Sequence, residues 1–201
     1  MKSAEFSVKK IKYIEGLNNA DLSFIPALSR RRMSSLDKIT AAALKQLFDD
    51  NIENIIFASQ KGETENLFKI IEQYKTENEV SPAVFPGSVH NAAIGAFLIN
   101  EKKPAAYNAL SAGAETIPAG ILTAAVSKYN NTLFVYSDIE DDIYVSLCLY
   151  MSKEKAGARY AVSTGIDAQS TPKVKDFAEF FEGAEGAIKT GGYKIERLKS
   201  D

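Results

Sequence analysis

The spacing of apolar residues divides this chain into alternating extended and helical stretches. Phe6 and Val8 alternate with Ser7 and Lys9, and Lys10 and Lys12 with Ile11 and Tyr13. That pattern predicts an edge strand over 6–14 whose lysines discourage pairing with other chains. Residues 18–29 are rich in turn formers, and Pro26 breaks any early helix. Ser34 or Ser35 can cap the next segment, with Asp37 favourable at the positive end of the helix dipole. Leu36, Ile39, Ala43 and Leu47 then recur at helical spacing, predicting an amphipathic helix over 35–49. The continuous run Asn54-Ile55-Ile56-Phe57-Ala58 reads as a strand buried on both faces. After Gly62, the residues Leu67, Ile70, Ile71 and Tyr74 mark a second helix.

The second half repeats this alternation. Ser88, after Pro86-Gly87, is expected to cap a helix of small residues (Ala92, Ala93, Gly95, Ala96), a composition that suits close burial against another backbone. A strand is predicted over 104–110, a helix over 116–129 and a buried strand over 132–136. Residues 145–151 and 159–163 are expected to form a hairpin across a charged loop containing Gly157. Residues 174–181 follow Pro172 as a short helix, and 193–198 form a last strand. Strands alternating with helices indicate an α/β fold, a mixed, mostly parallel sheet flanked by helices. With no internal repeat and no long linker, residues 1–201 are expected to form a single domain.

Composition narrows the functional classes. Hydrophobic residues make up 45% of the chain and charged residues 25%, as in ordinary globular proteins. A net charge of -2 gives no electrostatic footprint for nucleic acid, and Arg30-Arg31-Arg32 is only a local basic run. The sequence has no apolar stretch of the ~18 residues a membrane span needs, and Met1-Lys2-Ser3-Ala4-Glu5 carries no apolar signal core. A lone Cys148 fits a reducing compartment, so the expected location is cytoplasmic. No cofactor or metal is expected. Asp138, Glu140, Asp141 and Asp142 lack the glycine turn and bidentate glutamate of a calcium loop, and are read as a solvated acidic loop.

The string Ser81-Pro82-Ala83-Val84-Phe85-Pro86-Gly87-Ser88-Val89-His90-Asn91 follows a Ser-Pro-x3-Pro-x4-Asn pattern. Together with Arg30-Arg31-Arg32-Met33-Ser34 and Ile55-Ile56-Phe57-Ala58-Ser59-Gln60-Lys61-Gly62, it resembles the N-terminal half of a β-ketoacyl-acyl-carrier-protein synthase. The pattern is similar to that of chain-length-factor-like members of that family. The resemblance covers roughly residues 30–140 and implies half of a thiolase-like fold. It further implies a role beside a full-length ketosynthase, or with a second copy of the chain, in type II fatty-acid or polyketide synthesis, aryl-polyene pathways included, with acyl carrier protein as a further partner.

The same resemblance indicates what chemistry is missing. A condensing synthase uses a thiolate at a helix N-terminus, where unpaired N–H groups lower its pKa. Aligning Pro104 with the family's Gly-Pro strand puts Ala112 at that cysteine, with Ser111 one residue before it. The two catalytic histidines belong to the family's other half, and His90 is the only histidine in this sequence. Independent condensation is therefore not expected. Ser88, His90 and Asn91 are the remaining candidates for catalysis, such as thioester hydrolysis, with a structural role for His90 as the plainer alternative. Val84, Phe85, His90 and Phe97 are candidate walls of an acyl pocket. The resemblance also implies that the strand bearing Ala105, Tyr107, Ala109 and Ser111 pairs across a dimer axis. Two remedies then exist for the uncovered face of a half fold: residues from Cys148 onward fold over it, or another protein does.

Overall fold

The computed structural model describes residues 3–155 and 157–199. Its first strand, β1 (Ser3–Glu15), is followed by a single helical turn, α1 (Ala27–Arg30), and by α2 (Ser35–Leu47). Ser34 caps α2 reciprocally. Its hydroxyl accepts from Asp37 N at 2.9 Å, and Asp37 Oδ2 accepts from Ser34 N at 3.1 Å. This capping box fixes where the helix starts, and the Ala41-Ala42-Ala43 run lets α2 sink into the core. Then come β2 (Asn54–Ala58), α3 (Thr64–Glu77), α4 (Ala92–Glu101), β3 (Ala106–Leu110), α5 (Thr116–Val126) and β4 (Asn131–Glu140). The remaining elements are β5 (Ile143–Ser152), β6 (Ala158–Thr164), α6 (Val174–Glu182), β7 (Ala187–Lys189) and β8 (Tyr193–Arg197).

All eight strands lie in one sheet in the order β3-β2-β4-β5-β1-β6-β8-β7. Helices α2 and α4 cover one face, where Ile39, Leu44, Ile94 and Phe97 meet Ile55, Phe57, Leu133 and Cys148. Helices α5 and α6 cover the other, with Ile117, Ile121, Phe177 and Phe181 on Ile56, Phe134, Leu147 and Tyr160. Gly120 permits the close approach of α5: a Cβ there would lie 2.4 Å from the Phe134 ring and 3.3 Å from Ala58 Cβ.

Three expectations are corrected. The sheet is mostly antiparallel: only β2–β3 and β2–β4 are parallel, and every other pairing is antiparallel. The strand–helix alternation that suggests a parallel sheet holds only across β2, β3 and β4. Strand β1 is not an edge; it sits between β5 and β6. Its lysines are accommodated because Lys9 pairs with Glu154 at 2.8 Å and lies over the Tyr150 ring. Because β1 fills that place, β5 and β6 are not a hairpin. The hairpin is β4–β5, joined by Asp141 and Asp142, both with positive φ (47° and 65°), as a tight two-residue turn requires.

The C-terminal segment supplies the first of the two remedies. Strands β5, β6, β8 and β7 extend the sheet, and α6 roofs it with aromatic rings. Tyr160, fully buried, lies 4.9 Å from the Phe181 ring, 5.5 Å from Phe180 and 5.7 Å from Phe6. The sheet ends on β3 at one edge and on the three-residue β7 at the other.

Candidate functional site

The turn from β3 into α5 carries Ser111 and Ala112. Ala112 N donates to the Thr116 hydroxyl at 2.9 Å, and that hydroxyl donates to Gly113 O at 2.6 Å. Gly113 takes a left-handed φ of 57°. The Glu115 carboxylate accepts from Gly191 N at 3.0 Å and from the Thr190 hydroxyl, so the C-terminal segment is tied directly to this turn. Ser111 Oγ donates to Gln60 O at 3.3 Å, a weak bond on an exposed side chain. A cavity of about 320 Å3 opens beside the turn, lined by Gly113, Thr116, Asp138, Lys173 and Thr190. Neither Ser111 nor Ala112 lines it. An alanine methyl has no electron pair to offer an acyl group and no proton to exchange, so the turn itself presents no nucleophile.

Cys148 lies far from this chemistry in the middle of β5. It has no exposed surface, and burial pushes its thiol pKa well above the ordinary value. A native sample should therefore leave Cys148 unmodified by a colorimetric thiol reagent, and urea should release one reactive thiol per chain. Rapid labelling of the folded protein would contradict its place in the sheet.

The segment 81–91 forms a turn that leads into α4. Ser88 does not cap the helix; it ends a 3-10 turn, and its hydroxyl donates to Phe85 O at 2.8 Å. Asn91 occupies the N-cap position of α4 without a side-chain cap bond. His90 Nε2 lies 2.9 Å from Ser59 O, and a carbonyl can only accept, so Nε2 carries the proton. The ring lies tilted against Phe57, 5.5 Å between centroids, and so close to Gly62 that a Cβ there would sit 2.8 Å from it. Ser88 and His90 are thus engaged by different backbone carbonyls rather than by each other. Asp138, expected in a solvated loop, is instead buried and anchors the 59–61 turn: its Oδ2 accepts from Gln60 N at 2.6 Å and from Lys61 N at 3.0 Å. A glycine-ended strand followed later by an aspartate at a strand end carries that information only once the pairing of β2 with β4 is known.

Beside the β3 edge lies a larger cavity of about 670 Å3. It is walled mainly by Phe24, Met33, Val89, Ala92, Phe97 and Tyr107. Of the expected pocket walls only Phe97 lines it. Val84, Phe85 and His90 do not; Val84 and Phe85 stand out in solvent, Phe85 with 58% of its surface exposed. The small-residue helix α4 accordingly has two sides. Ala93, Ile94 and Phe97 are buried, whereas Ile99 is 80% exposed.

Strand β3 pairs only with β2. Ala106 N donates to Glu53 O at 3.2 Å, and Leu110 O accepts from Ser59 N at 3.2 Å. Backbone groups alternate along a strand, so Tyr107 and Ala109 direct N–H and C=O to the open side. Their side chains share a face with Ala105 and Ser111: Ala109 packs on the α2–α4 side and Tyr107 lines the large cavity. Exposed Ile99 and Tyr107 line the same cavity at this edge, and Leu67, Phe68 and Tyr74 of α3 are exposed together with Val84 and Phe85 of the turn that packs on α3. Large apolar residues gathered beside unpaired strand groups mark an interaction surface. Among the described residues no cluster of three or more metal-ligating side chains occurs, and no helix is long and apolar enough to cross a membrane.

The fold is a single sheet covered by helices on both faces, with the turn from β3 into α5 at the end of one edge strand. The sequence profile of the β-ketoacyl synthase N-terminal domain matches residues 6–176, and the chain belongs to that family. Among solved structures, one chain of a ketosynthase (ApeO) in complex with its chain length factor (ApeC) from Xenorhabdus doucetiae superposes with a TM-score of 0.77 at 16% identity, over 96% of this chain and 99% of that one. A chain of the ishigamide ketosynthase/chain length factor superposes with a TM-score of 0.57 at 14% identity, over 72% of this chain and 52% of that one. The match therefore spans about half the length of the ishigamide protein. These likenesses show the thiolase-like fold. No curated protein matches the chain in sequence.

Proposed function

We propose that this chain is a non-catalytic, chain-length-factor-like subunit that partners a β-ketoacyl-acyl-carrier-protein synthase in type II fatty-acid or polyketide biosynthesis. The observation that supports this reading is the open β3 edge with exposed apolar side chains on the elements beside it, next to the turn whose Ala112 the family resemblance aligns with the nucleophile. Residues 1–201 act as one domain. The backbone groups of Tyr107 and Ala109 bond to an edge strand of the synthase, with Ala105 and Ser111 flanking them. Val84 and Phe85, exposed on a turn beside that edge, reach the synthase's acyl channel and limit its length. Their exposure follows from this role: apolar side chains that contribute nothing to the isolated fold lose their contact with water when the partner docks. The ketosynthase supplies the thiolate and imidazoles, and acyl carrier protein delivers its substrate to that subunit.

A condensation assay with a ketosynthase subunit, malonyl-carrier protein and acyl-carrier protein tests this. The chain alone should form no ketoacyl product, and its addition should raise the synthase's turnover or change the acyl lengths made. A synthase whose rate and products are the same with and without the chain overturns the reading.

A further inference from the structure

Two carboxyl groups, both nearly excluded from water, meet where α2, α3 and the 84–91 turn come together. Glu63 is 4% exposed and Asp37 6%. One serine joins them: Ser34 Oγ donates to Glu63 Oε1 at 3.1 Å and accepts from Asp37 N at 2.9 Å. Asn66 Nδ2 donates both to Glu63 Oε2 at 3.0 Å and to Gly87 O at 2.7 Å, which carries the link into the turn. Neither carboxyl forms an ion pair with a described lysine or arginine. Asp37 Oδ1 is buried with no hydrogen-bond donor placed on it. Two like charges this deep, with no cation between them, do not both ionise. A protonated Glu63 resolves both problems by removing one charge and giving Asp37 an O–H donor.

We propose that one proton shared by Asp37 and Glu63 latches α3 and the 84–91 turn onto α2, so that the apolar docking surface they carry is held in acid and loosens as pH rises. Helix α3 has little else to hold it. Ile70 is its only buried residue, and Glu63 at its N-cap position makes no cap bond. Burial first, and then the Asp37 charge, push the Glu63 pKa up to about 8, and burial raises Asp37 as well. The surrounding charges are few. Lys38 on α2 favours an ionised Asp37, Arg32 lines the large cavity together with Asp37, and Glu65 on α3 opposes ionisation of Glu63. Lys61, Asp138 and Tyr144 line a small cavity with Glu63, and the His90 ring packs on Gly62 next to it. Linkage gives the sign. Glu63 binds its proton more tightly closed than open, so the latch is fully stabilising below the ordinary value of 4.5 and is lost as pH rises through about 8.

The consequence for docking rests on the function proposed above, but the latch itself is tested on the full chain alone. Amide hydrogen exchange in α3, corrected for intrinsic rates, should give an opening constant that rises with pH by up to about tenfold per unit and levels off above about pH 8. In Glu63→Gln the rise with pH should be much shallower, with only Asp37 left to titrate. Equal slopes in both proteins overturn the latch, as does a flat wild-type profile. If Glu63→Gln does not fold, a carbon-13 titration of the Glu63 carboxyl decides: a midpoint above pH 7 supports the shared proton and an ordinary carboxylate midpoint rejects it. Failure here leaves the partner-subunit reading standing, because no partner is present in the experiment.

Discussion

Ala109→Pro should leave the chain folded and weaken its assembly with a ketosynthase subunit by at least ~100-fold, a loss of about 2.7 kcal/mol. The Ala109 N–H points away from β2, so proline there removes no bond of the internal ladder. Its ring instead projects into the plane where a partner strand would bond, and it deletes one donor from that edge. Asn108→Pro is the matched control. The Asn108 N–H faces β2, so that change should destabilise the isolated chain instead. Binding by titration calorimetry, with circular dichroism for the fold, separates the two effects. Undiminished assembly by Ala109→Pro would show that pairing does not use this edge.

The second large effect concerns stability. Tyr160→Ala should cost about 3–5 kcal/mol, as large aromatic truncations in cores do. Tyr160 has no exposed surface and sits among Phe6 from the first strand and Phe180 and Phe181 from α6. Its removal leaves a void bordered by three other rings, and well-packed rings collapse into such a void only in part. The hydroxyl adds little, since its bond to Phe181 O is 3.4 Å long. Urea unfolding should show the midpoint falling with the slope unchanged. A loss under ~1 kcal/mol would mean that α6 lies outside the cooperative core. This prediction bears on function because α6 is the chain's own cover for the face opposite α2 and α4, so the proposed partner is assigned to the β3 edge and not to that face.

Local signals in the sequence were enough for much of the architecture. The run 54–58 is a strand buried on both faces, the Ser34–Asp37 pair caps α2, and Pro172 precedes α6. Sheet order was not legible, because pairing joins residues far apart in sequence. Three lysines in β1 read as an edge signal, yet Glu154 and the Tyr150 ring neutralise and cover Lys9 from the neighbouring strand. Short β7 (Ala187–Lys189) carries no pattern long enough to see. At the site, the strand before Ala112 and the helix after it were legible, since a turn between strand and helix is a local feature. It did not locate the Asp37–Glu63 pair. Asp37 read as a favourable charge at a helix start, and only its burial against a residue 26 positions away changes that meaning. Val84 and Phe85 were expected as walls of an acyl pocket from the chain-length-factor resemblance. In the isolated fold they do not line the large cavity, and the proposed partner is what would cover them.

The central claim is that this chain completes a ketosynthase. Its most direct test is the mass of the assembly formed when the chain is co-expressed with a ketosynthase subunit from the same source, measured by sedimentation velocity or native mass spectrometry. A one-to-one complex that survives purification is the predicted result. A chain that stays monomeric both alone and beside the synthase would contradict the account.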